Sequence, residues 1–248
     1  HYDVALFEIG GTVGDIEGLP FFEAVRQLAI ELGPTRCAFV HLTLLPYIQA
    51  SGEVKTKPTQ HSVKALREIG IQPDVILCRT ESHQLTDELK RKISLFCSVP
   101  AEAVIEAVDV ESIYEVPLNL EEQGFCNYLL RRFKMNCGEP DLKVWVKTLD
   151  RLKKSKGTVD VAVCGKYTGL RDAYKSIIEA FIHAGIENDV KVRVRWVNSE
   201  DVTPDTVADQ LRGISGLLIP GGFGDRGIEG KVCAIQYVRE NKIPFFGI

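Results

Sequence analysis

Short apolar runs rich in β-branched residues alternate along the chain with stretches whose apolar positions recur at helical spacing. VALFEI at 4–9 opens the series, followed by helical periodicity over 20–32, the run AFVHLTLLPYI, a helix over 62–70 and the run DVILCR. A helix over 87–97, the strand AVIEAV and a helix over 118–133 complete this half. Such alternation predicts parallel strands joined by crossover helices. The pattern lapses over 136–157, which is polar and lysine-rich, and where only VWVKTLDRL has room for one or two amphipathic turns. A second series then follows: VDVAVCG, a helix over 172–184, VKVRVRWV, a helix over 204–211, GLLIPGG, a helix over 230–241 and PFFGI. The expected fold is α/β with two domains, each a mostly parallel sheet flanked by helices, over 1–138 and 158–248, joined by a connection at 139–157.

Both ends read as interrupted. The chain opens inside an expected buried strand and stops at the carboxyl end of another, the edge of an open α/β sheet where ligands gather, so chemistry is expected beyond both termini.

Composition narrows the function classes. The 248 residues are 45% hydrophobic and 26% charged with a formal net charge of -4, ordinary for a globular protein. No basic run provides a footprint for nucleic acid or an anionic membrane, and no apolar run approaches the roughly 20 residues of a membrane-spanning helix. No basic segment followed by an apolar stretch opens the chain, so no signal peptide is expected. The seven cysteines form no Cys-x-x-Cys pair and several sit inside apolar runs, which reads as reduced thiols in the cytoplasm.

Two polar constellations interrupt the first series. Glu8 ends an apolar strand just before Gly10, Gly11, Thr12, Val13, Gly14 and Asp15. A carboxylate at a buried strand end needs a cationic partner, such as Mg²⁺ bridging nucleotide phosphates, and the alternative is a plain turn with a solvated carboxylate. In Gly52-Glu53-Val54-Lys55-Thr56-Lys57-Pro58-Thr59-Gln60-His61, the two lysines stand two apart before a proline. An extended backbone there would aim both ammonium groups at one polyphosphate, whereas the alternative is a solvated basic loop. In the second series, the turn Pro220-Gly221-Gly222-Phe223-Gly224 follows a strand and can expose backbone N–H groups to a developing oxyanion.

Several blocks in one order resemble a known family. EIGGTVGDIE at 8–17 with Pro20-Phe21, Glu23-Ala24 and Arg26-Gln27, then GEVKTKPTQHSV, Cys78-Arg79, KISLFC at 92–97 and VDVESIY at 108–114 with Val116-Pro117, are similar to the synthetase domain of the CTP synthase family. VAVCGKY at 161–167, Leu170, Asp172-Ala173-Tyr174-Lys175-Ser176 and the 219–224 turn resemble that family's triad glutamine amidotransferase domain.

The resemblance implies a Rossmann-like amidoligase domain, read as its C-terminal part, followed by the N-terminal part of a triad glutaminase. It implies that Glu8 holds Mg²⁺, and that Asp15, Ile16 and Glu17 meet the pyrimidine nucleotide. Lys55, Thr56, Lys57 and Gln60 would grip the triphosphate of UTP and of the product CTP. Lys92 would reach it from a neighbouring part of the assembly. Arg79, Asp109 and Val110 would meet ATP. Gly222 and Phe223 would form the oxyanion turn, with Gly222 also at glutamine, and Arg226 would belong to the site of the activator GTP. Tyr174 and Lys175 are read as packing or interface residues. The resemblance places the nucleophilic cysteine directly after Ile248; Cys164 lies in an expected strand and Cys233 in an expected helix, so neither substitutes for it. A homotetramer is expected. The rivals are another ATP-dependent amidoligase with a fused glutaminase, against which KTKPTQ speaks, and a non-catalytic CTP-binding scaffold.

Overall fold

A computed structural model describes residues 2–82, 85–169 and 171–248. Leu170, one of the resemblance positions, lies outside the described residues. The chain divides into two units, His1–Asp141 and Leu142–Ile248.

In the first unit a parallel sheet has the order β1-β4-β5, with β1 at Val40–Leu44, β4 at Val75–Thr80 and β5 at Val104–Val108. The elements around these strands are α1 (Leu19–Leu32), β2 (Tyr47–Ile48), β3 (Glu53–Val54), α2 (Lys57–Glu68), α3 (Asp87–Cys97), α4 (Val116–Glu122) and α5 (Phe125–Phe133). Ile76 and Cys78 on one face of β4 bury against Val63 of α2 and Ile93 and Cys97 of α3. Val75 and Ile105 pack on the other face with Leu120 of α4 and Phe125 and Leu129 of α5. Both faces of β4 and β5 are therefore apolar, which is why their sequences read as continuous runs.

Four expectations change here. Residues 4–9 form no strand, and Leu6 and Phe7 are 92% and 81% exposed. The segment does not add to the open edge of β1, which bonds only β4; Ile9 and Val13 pack instead against Phe22 and Leu66. The run over 38–48 splits at Pro46, which has no N–H for the ladder, and β2 instead pairs antiparallel with the unanticipated β3. Helix α2 starts at Lys57 rather than 62, because Pro58 fits the first helical turn. The helix over 118–133 breaks into two at Gly124, whose φ of 74° suits glycine.

The second unit holds a parallel sheet of order β7-β6-β8-β9, with β6 at Gly157–Gly165, β7 at Val190–Asn198, β8 at Gly216–Ile219 and β9 at Phe245–Gly247. Its helices are α6 (Lys143–Lys154), α7 (Lys175–Glu187), α8 (Val207–Gln210) and α9 (Ile228–Glu240). The stretch expected as a connection is thus largely α6. Arg151 on this helix donates to Glu187 and Asp189 at 3.1 and 3.3 Å, and so ties it to the end of α7. Ala162, Cys164, Leu217, Ile219, Ala234 and Val238 form the core between β6, β8 and α9. Helix α9 sits very close to the β7 exit: a Cβ at Gly230 would meet the Ser199 carbonyl oxygen at 1.7 Å. Among the described residues no helix is long and apolar enough to cross a membrane.

Candidate functional site

The strand order of the second unit fixes where a site belongs. β6 leads through α7 to β7 on one side and the chain then returns to β8 on the other, so β6 and β8 straddle a topological switch point. Ligands of open α/β sheets bind in the crevice at the carboxyl ends of such a pair. Those ends carry Gly165-Lys166-Tyr167 and Pro220-Gly221-Gly222-Phe223-Gly224.

Pro220 is buried, but residues 221–224 of the turn are exposed, with Phe223 at 97%, and Gly224 has a φ of 76°. Among the described residues the N–H groups of Gly221 to Gly224 enter no backbone hydrogen bond, which leaves them available to an incoming acceptor. Lys231 Nζ donates to the Pro220 carbonyl at 3.0 Å, and Lys166 Nζ donates to the Phe223 carbonyl. Behind the turn, Tyr174 is buried, stacks on Trp196 at 5.6 Å and accepts from the Tyr167 N–H at 3.3 Å. Gly165 must stay small, since a Cβ would meet the Tyr174 hydroxyl at 2.4 Å. Arg226 pairs with Glu200 at 3.3 Å and lies 5.9 Å from the Tyr167 ring centroid. Burial pushes the Cys164 thiol up to about 11, so it is protonated and unreactive at neutral pH.

The first unit gathers different groups. At the carboxyl ends of β4 and β5, Arg79 binds Asp109 through both Oδ atoms at 2.7 and 3.3 Å, and this hydrogen bonding raises the guanidinium pKa further. Glu106, on β5, is buried; its Oε1 accepts from Thr80 Oγ1 at 3.0 Å and from the Leu85 N–H at 2.9 Å. Gln123 bonds both the N–H and the carbonyl of Glu106, at 2.8 and 2.5 Å. The sequence reading missed Glu106; a carboxylate inside the apolar run AVIEAV was the available signal.

Lys55 pairs with Glu53, and the carboxyl of Glu53 is lowered mainly by that hydrogen bond, with a further contribution from the charge of Lys92. These three side chains therefore share one locality. Thr56 is buried, adopts helical backbone angles and accepts from Gln60 Nε2 at 3.1 Å, while Lys57 begins α2. The extended arrangement expected for 55–57 is thus replaced by a helix start. Lys55 and Lys57 stand on either side of a buried residue, and the first-turn N–H groups of α2 add positive potential. Thr59 anchors this start to β1, bonding Thr43 Oγ1 at 3.1 Å and the Leu44 carbonyl at 3.2 Å.

Asp15 closes its own turn, accepting from the Thr12 N–H at 3.0 Å, with φ of 84° and 105° at Gly11 and Gly14. Ile16, Glu17 and Glu8 are exposed. Glu8 therefore does not occupy the buried strand end expected of it, and the described hydrogen bonds and ion pairs join neither Glu8 nor Glu17 to the lysine group. Val110 follows Asp109 at the β5 exit. Among the described residues no three His, Cys, Asp or Glu side chains converge as a metal cage. A lone carboxylate such as Glu8 suits an ion held mainly by phosphate oxygens, as Mg²⁺ is.

Comparison with known proteins assigns both segments. Residues 1–135 match the family profile described as CTP synthase N-terminus, and residues 170–248 match glutamine amidotransferase class-I. A protein named CTP synthase from Oleidesulfovibrio alaskensis is 56% identical over 246 residues, covering 99% of this chain and 45% of its own length. One of the same name from Ruminiclostridium cellulolyticum is 55% identical over 246 residues, with 99% and 46% covered. The chain thus spans about half the length of the curated relatives it matches. A solved structure described as the Trypanosoma brucei CTPS glutaminase domain with bound acivicin is 39% identical and covers 36% of this chain and 35% of that one. Its TM-score of 0.34 is too low to carry a fold argument. The description of the first segment as the C-terminal part of a synthetase domain is corrected by the first match, which names it the CTP synthase N-terminus. Since that profile covers more than half of the residues, the chain belongs to the CTP synthase family.

Proposed function

We propose that the protein carrying this chain is a glutamine-hydrolysing CTP synthase. The observation that carries the reading is about 55% identity, across both units, to proteins named CTP synthase. In this reading the γ-phosphoryl group of ATP passes to the C4 oxygen of UTP, which converts a poor leaving group into phosphate. Ammonia adds at C4, phosphate departs, a proton is released and CTP results. Glutamine supplies the ammonia by acyl transfer to a cysteine thiolate, followed by hydrolysis to glutamate.

The residues 1–138 serve the amidoligase half, 139–157 the connection and 158–248 the glutaminase half. Lys55, Lys57 and Lys92, with Thr56 and Gln60, hold the triphosphate of UTP and of CTP; the shared locality of Lys55, Lys92 and Glu53 supports this. Asp15, Ile16 and Glu17 meet the ribose and base. Arg79, Asp109 and Val110 meet ATP, with the Arg79–Asp109 pair opening or sharing its guanidinium when phosphate arrives. Glu8 would hold Mg²⁺, which when bound neutralises phosphate charge during transfer. In the second half, Gly222 and Phe223 donate N–H groups to the tetrahedral oxyanion, and Gly222 lines the glutamine site. GTP activates from a site that includes Arg226, the assembly is a homotetramer, and the protein works in the cytoplasm.

The test is CTP formation by the full gene product. UTP and ATP with ammonia should yield CTP, and glutamine should replace ammonia. Formation of glutamate without CTP from either nitrogen source overturns the reading and favours another amidoligase. Binding of CTP with neither product would favour a scaffold.

A further inference from the structure

At the carboxyl edge of the second unit, two half-buried lysines from different elements converge on one turn. Lys166 leaves β6 and donates to the Phe223 carbonyl; Lys231 lies in the first turn of α9 and donates to the Pro220 carbonyl at 3.0 Å. Among the described residues neither ammonium has a carboxylate partner, so both commit their charge to backbone oxygens. They also flank the same residue. A Cβ built on Gly222 would lie 3.0 Å from Lys166 Cε, 3.7 Å from its Nζ and 3.9 Å from Lys231 Nζ.

Peptide planarity turns these two bonds into a constraint on the whole turn. Fixing the Pro220 carbonyl fixes the plane shared with the Gly221 N–H, and fixing the Phe223 carbonyl fixes the plane shared with the Gly224 N–H. Only two peptide planes remain between them, and they carry the N–H groups of Gly222 and Phe223, which no backbone bond uses. Glycine is the one residue type that leaves this span free to turn yet cannot hold itself still. The holding must therefore come from outside the turn.

We infer that Lys166 and Lys231 are positioning residues that clamp the turn by its two outer carbonyls, so that the Gly222 and Phe223 N–H groups are aimed before any ligand arrives. The catalytic consequence rests on the glutaminase reading; the clamp itself does not. Preorganised donors stabilise a developing oxyanion because they need no reorientation in the transition state, and a loosened turn forfeits that advantage.

Two measurements separate the clamp from the function. In the first, the chain is labelled with ¹⁵N on glycine and phenylalanine, and backbone order parameters are read for Gly221, Gly222, Phe223 and Gly224. The unaltered chain should give values near ~0.85, and Lys231→Met and Lys166→Met, made singly, should drop the turn below ~0.6. Lys231→Arg should keep it ordered. Values unchanged in both methionine variants overturn the clamp. In the second, the same substitutions in the full gene product should lower kcat for glutamine hydrolysis roughly 10–100-fold with KM for glutamine unchanged. Reduced order with unchanged kcat refutes the positioning role. Reduced order in variants of a gene product that never hydrolyses glutamine upholds the clamp and removes the glutaminase reading instead.

Discussion

In the proposed reading the two units would each meet an anion at a sheet edge, but with different material. The second unit would use backbone: a five-residue turn at the switch point of β6 and β8, whose amide groups are the proposed donors and whose carbonyls Lys166 and Lys231 bond. The first unit uses side chains: Lys55 and Lys57 around the start of α2, Lys92 near Glu53, and Arg79 paired with Asp109. A backbone site is specified by topology and by where a Cβ is forbidden. A side-chain site is specified by charge, and its members can be exchanged between partners until a ligand collects them.

This difference predicts unequal responses to substitution. The largest expected effect is steric and confined to the second unit. Gly230→Ala would drive a methyl group into the Ser199 carbonyl, and unfolding should show a loss of about 3 kcal/mol in the second unit only. A single transition lowered equally in both units would break the comparison.

A smaller effect sharpens the first unit. Glu106→Ala leaves the Thr80 hydroxyl and the Leu85 N–H without their buried acceptor, at a cost of about 1–3 kcal/mol. Denaturant titration should locate this loss in the first unit, and ATP affinity should fall with it, because Thr80 adjoins Arg79. Unchanged stability would mean that water replaces the carboxylate.

The smallest effect is a pH dependence. His41 is buried beside Ser62, its Nε2 2.8 Å from the hydroxyl, and burial lowers its pKa. Above the usual histidine value of about 6.5 both folded and unfolded states are neutral there. As pH falls below that value the unfolded chain takes up the proton first, so stability declines until the folded pKa is reached. His41→Asn should flatten that decline in the first unit, while the second unit, which lacks this residue, should not show it.

The same contrast explains what the sequence disclosed. The parallel α/β alternation was legible because β4, β5, β6 and β8 are buried enough to read as continuous apolar runs. The turn at 220–224 was legible for a different reason: a Gly-Gly-Phe-Gly string after a buried strand punctuates the chain, since glycine accepts backbone angles such as the φ of 76° at Gly224. Lys55 and Lys57 were visible as charges but not as geometry, because Pro58 was read as holding the segment extended when it instead opens α2. Residues 4–9 had the composition of a strand, yet a strand depends on a neighbour that composition does not reveal. Lys231 was invisible as a site residue, since its contact with Pro220 spans eleven positions and follows only from how α9 packs.

The most direct measurement is nucleotide binding by the full gene product, with Lys55→Ala and Lys57→Ala made singly and titrated against UTP, CTP and ATP. Each ammonium is proposed to make a charge-assisted bond to triphosphate oxygens, so UTP and CTP should weaken by about 10-fold or more while ATP affinity stays the same. Equal loss for all three nucleotides, or no loss for UTP and CTP, would contradict the account.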